Sequence, residues 1–386
     1  MLKNGAYRCR QAVFVLFVKL LQALRPKSTG NRAPRLVLFK PDGIGDWILS
    51  SGCIRLLGHW AKSGHGMETT LIVGTCTEAL ARREFPEFEV IAIPPSHLDG
   101  NFGAALSTIG SLRRAAAGLR CGVLINLRHQ VTLTQDLILC WLRPERSFGL
   151  TSPVNHAPNR ILRARRFEFS NSLPYPPVWK PGGHPLEVEA QRTLAELVLG
   201  KAVSDEEVAP RLGSFKTSDN GTVVVFPFAM NNPKRNYPRA SQIEALAGAL
   251  AGSDLEILLC GSGEEAPLLE EFGEALRGKV AGPVHISTPA TFVEACEQIA
   301  SARAIFCMDS GPAHVAIALD KPGVFLLGGG HFGSFAPYGD PQRQKWLFHQ
   351  LPCYHCEWNC PYETVRCIER IPVSAVRDAL RDVLAA

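Results

Sequence analysis

The 386-residue sequence predicts an α/β protein of two doubly wound, Rossmann-like domains facing a cleft. Three observations predict it. Short apolar runs of strand length alternate with helical patterns, which implies parallel sheets covered on both faces. The alternation occurs twice, on either side of 171–185 (NSLPYPPVWKPGGHP), a segment too rich in Pro and Gly to continue a helix or a central strand. That segment reads as a linker or a long surface loop. Each half also opens with an apolar run that ends in a polar loop before a helix, the place where such sheets bind ligands. The length exceeds one ordinary domain and suits two.

In chain order, 35–39 (RLVLF) is the first strand, and 46–60 carries a helical pattern. Further strands are expected at 69–73, 88–93 and 121–126, with a helix over 102–119. After the Pro- and Gly-rich segment come a helix over 186–199 and a restart at Gly221 with the buried strand 222–228 (TVVVFPF). A helix over 241–250, a strand over 255–260 ending in Gly261-Ser262-Gly263, and a helix over 264–277 follow. The strand 304–308 leads into a further helix, then the strand 323–327. A closing helix over 372–384 places Val373, Val376, Leu380 and Leu384 on one face. The expected division is a basic N-terminal helix (1–30), a first domain (31–185), a second domain (186–371) with a Cys-rich segment (353–367), and the closing helix (372–386).

Hydrophobic residues make up 46% and charged residues 20%, values of a folded chain and not of a disordered one. A net charge of +5 with no dense basic stripe excludes a nucleic-acid binder as the leading class and suits anionic small molecules. Twelve cysteines are spread along the chain, eight of them singly in apolar or helical contexts, so a reducing cytoplasm is expected. Residues 12–24 (AVFVLFVKLLQAL) are apolar but too short to span a bilayer. Lys3, Arg8, Arg10, Lys19, Arg25 and Lys27 surround them, and Phe14, Phe17, Leu20, Leu21 and Leu24 recur at helical spacing. Such a helix lies on an anionic membrane surface, packs on the protein body or is an uncleaved signal anchor.

Three loops carry candidate chemistry. Lys40-Pro41-Asp42-Gly43-Ile44-Gly45-Asp46 follows the first strand. Its glycines allow a tight loop, and Asp46 at the helix start is either an N-cap or a general base for an acceptor hydroxyl. The segment 227–238 follows the first strand of the second half and offers Lys234 and Arg235 to a diphosphate, as point charge and fork. Asp309-Ser310-Gly311-Pro312-Ala313-His314 is a strand–turn–helix with Pro in the first turn. It aims backbone N–H groups at one point, where phosphate is a common ligand, with Asp309 as acceptor and His314 as titratable donor. The alternative is an ordinary turn with a capping Ser310. A fourth stretch, Gly328-Gly329-Gly330-His331 through Pro337-Tyr338-Gly339, either closes on a ligand or merely connects.

These blocks, together with Lys321-Pro322 and Pro337-Tyr338-Gly339, stand in one order. The ordered set resembles glycosyltransferase family 9, the heptosyltransferase family, of the GT-B fold. By that resemblance Asp46 takes the catalytic-base position, with Asp42, Gly43 and Gly45 in the acceptor-side loop. Lys234 or Arg235 takes the basic position facing the phosphates, and Asp309, Ser310, Gly311 and His314 take the nucleotide-sugar site. The family often reads Lys-Arg-Trp-Pro; here Asn236-Tyr237 intervenes and leaves the choice between Lys234 and Arg235 open. The resemblance implies an inverting, metal-independent transfer of a sugar, such as heptose from ADP-heptose, to lipopolysaccharide or another surface glycan. The enzyme would work in the cytoplasm or peripherally on the inner face of the cytoplasmic membrane. No Asp-x-Asp pair occurs, so the sequence does not require a metal on the diphosphate. The alternatives are another nucleotide sugar on the same fold, or an inactive nucleotide-binding scaffold.

Cys353, Cys356, Cys360 and Cys367 form the remaining signal, with His349 and His355 nearby. Their spacing fits a structural zinc, an iron–sulfur centre, two disulfides or free thiols. Sugar transfer has no use for them as catalysts.

Overall fold

A computed structural model describes residues 33–93, 110, 119–128, 142–151, 171–174, 185–229 and 232–385. The expected N-terminal helix and most of the expected helix over 102–119 and of the 171–185 segment lie outside them. The strands are β1 (Arg35–Lys40), β2 (Thr69–Gly74), β3 (Glu89–Ile93), β4 (Cys121–Asn126), β5 (Arg146–Thr151), β6 (Asn171–Pro174), β7 (Thr222–Phe226), β8 (Glu256–Cys260), β9 (Val284–Ser287), β10 (Ala304–Met308), β11 (Gly323–Leu326) and β12 (Gln344–Leu347). The helices are α1 (Ile44–Leu49), α2 (Ser51–His65), α3 (Glu78–Glu84), α4 (Leu186–Leu199), α5 (Asp205–Val208), α6 (Arg239–Ala249), α7 (Ala266–Arg277), α8 (Phe292–Ser301), α9 (Gly311–Ala318), α10 (Arg366–Glu369) and α11 (Val373–Ala385).

The strands form two six-stranded parallel sheets, ordered β3-β2-β1-β4-β5-β6 and β12-β11-β10-β7-β8-β9. Every residue of β2, β4, β7 and β10 is buried, as a sheet covered on both faces requires. In each sheet the order reverses at one place, between β1 and β4 and between β7 and β10. Loops leaving the carboxyl ends of these two strand pairs diverge and leave a crevice. Register pairs Phe39 with Asn126 in the first sheet and Phe226 with Cys307 in the second.

The chain divides into two compact units, Met1–Pro177 with Glu189–Val208, and Val178–Val188 with Ala209–Ala386. The sequence reading set the boundary at 185. Residues 189–208 group with the first unit because Gln191 Nε2 donates to Ser50 Oγ at 2.6 Å and Cys53 Sγ contacts the Gln191 carbonyl. In the second unit α11 buries Val376, Ala379, Leu380 and Val383 in the same core as α6 and α7.

Two local expectations change. The helix expected over 46–60 is two helices meeting at Ser50. There Ser50 Oγ bonds the Asp46 carbonyl at 2.8 Å and Ser51 Oγ the Ile48 carbonyl at 2.7 Å, and such back-bonding bends a helix. The start of the 171–185 segment is a strand, β6. It lies at the sheet edge, where a proline costs no ladder bond.

Candidate functional site

In the first unit, β1 ends in Lys40, whose side chain is completely buried. Its Nζ stands 3.2 Å from Asp42 Oδ2 and donates to the Leu127 carbonyl at 3.1 Å. Arg128, just past β4, contributes Nε to Asp42 Oδ1 at 2.6 Å. Two cations thus converge on one carboxylate at the point where the sheet order reverses. Asp42 is committed to this ionic cluster, which ties the loop after β1 to the end of β4. Arg128 escaped the sequence reading, since a single Arg after an apolar run carries no signal until β4 is known to neighbour β1.

Asp46 is not an N-cap. Gly43 holds that place and accepts from the Trp47 N–H at 3.0 Å, so Asp46 sits in the first turn of α1. It is half-buried, whereas Trp47 and Ile48 after it are fully buried and anchor the turn. A carboxylate there is favoured by the helix dipole.

In the second unit, the loops after β7 and β10 leave neighbouring strands and meet. Arg235 Nη1 donates to the Asp309 carbonyl at 3.1 Å and lies 3.9 Å from Asp309 Oδ2. The basic loop is set by its own side chains. Asn232 caps the Lys234 N–H, Asn236 Oδ1 accepts from the Ala229 N–H at 2.6 Å, and buried Tyr237 donates to the Ile371 carbonyl at 2.7 Å. Lys234 points elsewhere, its Nζ donating to the Trp358 carbonyl at 2.7 Å. Of the two cations the sequence left open, Arg235 is the one directed at the turn.

The turn itself is not a capping-serine turn. Ser310 is the N-cap residue of α9 but its hydroxyl bonds back to the Met308 carbonyl at 3.2 Å. Pro312 has no N–H, and the Ala313 N–H is bonded to the Ser310 carbonyl. The amides of Ser310 and Gly311 are those that helix geometry leaves for a ligand.

His314 differs from expectation. It is buried and its pKa is pushed down to about 3, by loss of solvent first and by Arg235 second, so it stays neutral. Its Nδ1 shares a 2.8 Å hydrogen bond with Tyr338 Oη, and the two rings stack. Burial raises the Tyr338 pKa well above the ordinary phenol range, so the hydroxyl keeps its proton. The His314 Nε2 lies 4.0 Å from Asp309 Oδ1. His314 is therefore a neutral imidazole rather than a titrating one. Burial raises the Asp309 carboxyl, and Arg235 partly offsets this.

The triglycine after β11 is packed against the Cys-rich segment. A Cβ on Gly329 would collide with the Tyr354 ring, and one on Gly330 with the Trp358 indole. His355 N–H donates to the Gly329 carbonyl at 2.8 Å and Glu357 N–H to that of Gly330 at 3.1 Å, so the Cys-rich segment docks on this strip. Cys353, Cys356, Cys360 and Cys367 are all free thiols. Each raises the Cys367 pKa or has its own raised by its neighbours, yet burial is the largest cause. Among the described residues no group of three or more His, Cys, Asp or Glu is arranged to hold a metal ion. Among the described residues no helix is long and apolar enough to cross a membrane.

Residues 176–365 match glycosyltransferase family 9 (heptosyltransferase). No curated protein matches the chain. Among solved structures, the chain is similar to E. coli heptosyltransferase WaaC with ADP-2-deoxy-2-fluoro heptose, at 15% identity and a TM-score of 0.63 over 89% of this chain and 98% of that one. It is similar to E. coli ADP-heptose lps heptosyltransferase II, at 19% identity and 0.63 over 91% and 98%. A glycosyl transferase family 9 protein of Veillonella parvula gives 13% identity and 0.52 over 79% and 83%. These likenesses show the GT-B fold, and residues 176–365 form a glycosyltransferase family 9 (heptosyltransferase) region.

Proposed function

We propose that this glycosyltransferase moves a heptose from ADP-heptose to a hydroxyl of lipopolysaccharide or a related surface glycan, with inversion at the anomeric carbon. The observation that carries the reading is the convergence of Arg235 with the Asp309–Ser310–Gly311 turn at the β7/β10 crevice. A nucleoside diphosphate is the ligand such a place suits, and the solved relatives hold ADP-sugars or are named for them.

The chemistry follows from the residues. Asp46 takes the proton of the acceptor hydroxyl as that oxygen attacks the anomeric carbon. The bond from that carbon to the diphosphate breaks, and its electron pair leaves with the ADP. Arg235, the Ser310 and Gly311 amides and the neutral His314 imidazole meet the charge that builds there. One backside displacement inverts the centre. The reading takes no step through a metal, and the thiols of the Cys-rich segment serve the fold. The basic N-terminal segment holds the chain at an anionic membrane face where a lipid-linked acceptor lies.

Replacing Asp46 by Asn tests the reading. Transfer from ADP-heptose is expected to drop by about 10²–10⁴-fold while ADP binding is kept. Undiminished transfer by D46N would remove Asp46 from the base position. Transfer from other nucleotide sugars in preference to ADP-heptose would replace the donor.

A further inference from the structure

Trp358 in the Cys-rich segment has no part in the reaction just described, yet it is 6% exposed and touches both cations of the basic loop. Its φ is 62°, and those of His355 and Glu357 are 67° and 48°. Left-handed backbone at bulky side chains persists only where the surroundings hold it. The two hydrogen bonds to Gly329 and Gly330 do so, and the missing side chain of Gly330 makes room for the indole.

From this position the Trp358 carbonyl accepts from Lys234 Nζ, and Arg235 Cζ stands 5.4 Å from the ring centroid. The guanidinium contacts both the indole and the Asp309 carbonyl. Two donors of this pair, Arg235 Nε and Trp358 Nε1, are buried without a partner among the described residues. Buried polar groups are nearly always satisfied, so such orphans mark a place where an acceptor is missing.

We propose that Trp358 is a positioning residue of the donor site: its ring fixes the Arg235 guanidinium and its carbonyl holds Lys234 aside, so that Arg235 alone meets the diphosphate. This rests on the reading of Arg235 as the phosphate partner. A free arginine samples many rotamers, and ordering it on a ring before the ligand arrives removes that cost from binding. The Cys-rich segment is then the wall of the diphosphate site.

The test is calorimetric binding of ADP, inorganic pyrophosphate and adenosine to the full chain. W358A is expected to lose about tenfold for ADP and pyrophosphate, the scale of a partly desolvated cation–π contact, with adenosine unchanged. W358F keeps an aromatic ring and restores most of the loss. G330A displaces the indole without deleting it and reproduces the W358A defect. In an R235A background W358A adds nothing. Full pyrophosphate affinity in folded W358A or G330A, with R235A weakened, overturns the role of Trp358. An equal loss for adenosine marks general damage and overturns it too. If W358A does not fold, G330A decides. R235A binding pyrophosphate as the wild type does would instead sink the Arg235 reading itself.

Discussion

Arg235 and Asp309 are bound twice over, through a 3.1 Å hydrogen bond to the main-chain carbonyl and a 3.9 Å approach to the carboxylate. The residues are 74 positions apart, and one cation thereby sets both the turn and its charge. Burial disfavours the Asp309 anion, and Arg235 is what offsets this. On the proposed reading, diphosphate binding at the turn and the state of Asp309 are linked through a single guanidinium.

Arg235 should therefore outweigh Lys234. R235A is expected to weaken ADP binding by about 10- to 100-fold, the scale of hydrogen bonds to charged groups. K234A, which removes a tether, should cost several times less. Calorimetry on both variants checks this; equal losses would return the open choice between them.

Acid stability should report His314. Its folded pKa of about 3 lies below the ordinary 6.5. The unfolded chain takes up a proton that the folded chain refuses, so this stabilisation is complete above pH 6.5 and is lost as pH falls from 6.5 toward 3. The raised Asp309 carboxyl tilts the opposite way, its stabilisation being lost as pH rises. The comparison is thus wild type against H314Q by urea unfolding at several pH values. H314Q is expected to flatten the acid slope, and identical slopes would show that His314 is not held neutral.

The ionic cluster at β1 should be a point of weakness. D42A leaves Lys40 and Arg128 buried without their shared carboxylate. Breaking a buried pair costs about 3–5 kcal/mol. A thermal melt of D42A is expected to fall by roughly 10 °C, using the usual few degrees per kcal/mol. A melt unchanged within a degree or two would mean that the cluster is solvated.

Membrane attachment, as proposed, belongs to the first thirty residues. Deleting 1–30 should move the protein from the membrane pellet to the supernatant while keeping ADP affinity. A truncated chain that still sediments with membranes refutes the assignment.

Much of this was legible in the sequence for a physical reason. Parallel strands buried on both faces are continuous apolar runs, so β1, β4, β10 and the polar loops after them stand out from neighbours within a few residues. The weaker elements did not. β5 (RSFGLT) and β12 (QKWL) mix polar and apolar residues, and each is recognisable only by the strand it pairs with.

What the sequence by itself determined was local: strand runs, the turn with Pro312, the glycines and the cations beside them. Tertiary structure alone decided which of these share a place. Strand order put β7 beside β10, and so Arg235 on Asp309. Docking of 353–367 on Gly329 and Gly330 turned Lys234 away and set Trp358 against Arg235. Burial made His314 neutral. Side-chain periodicity is written along the chain over a few residues, whereas strand neighbours, desolvation and long-range pairing depend on how distant segments pack.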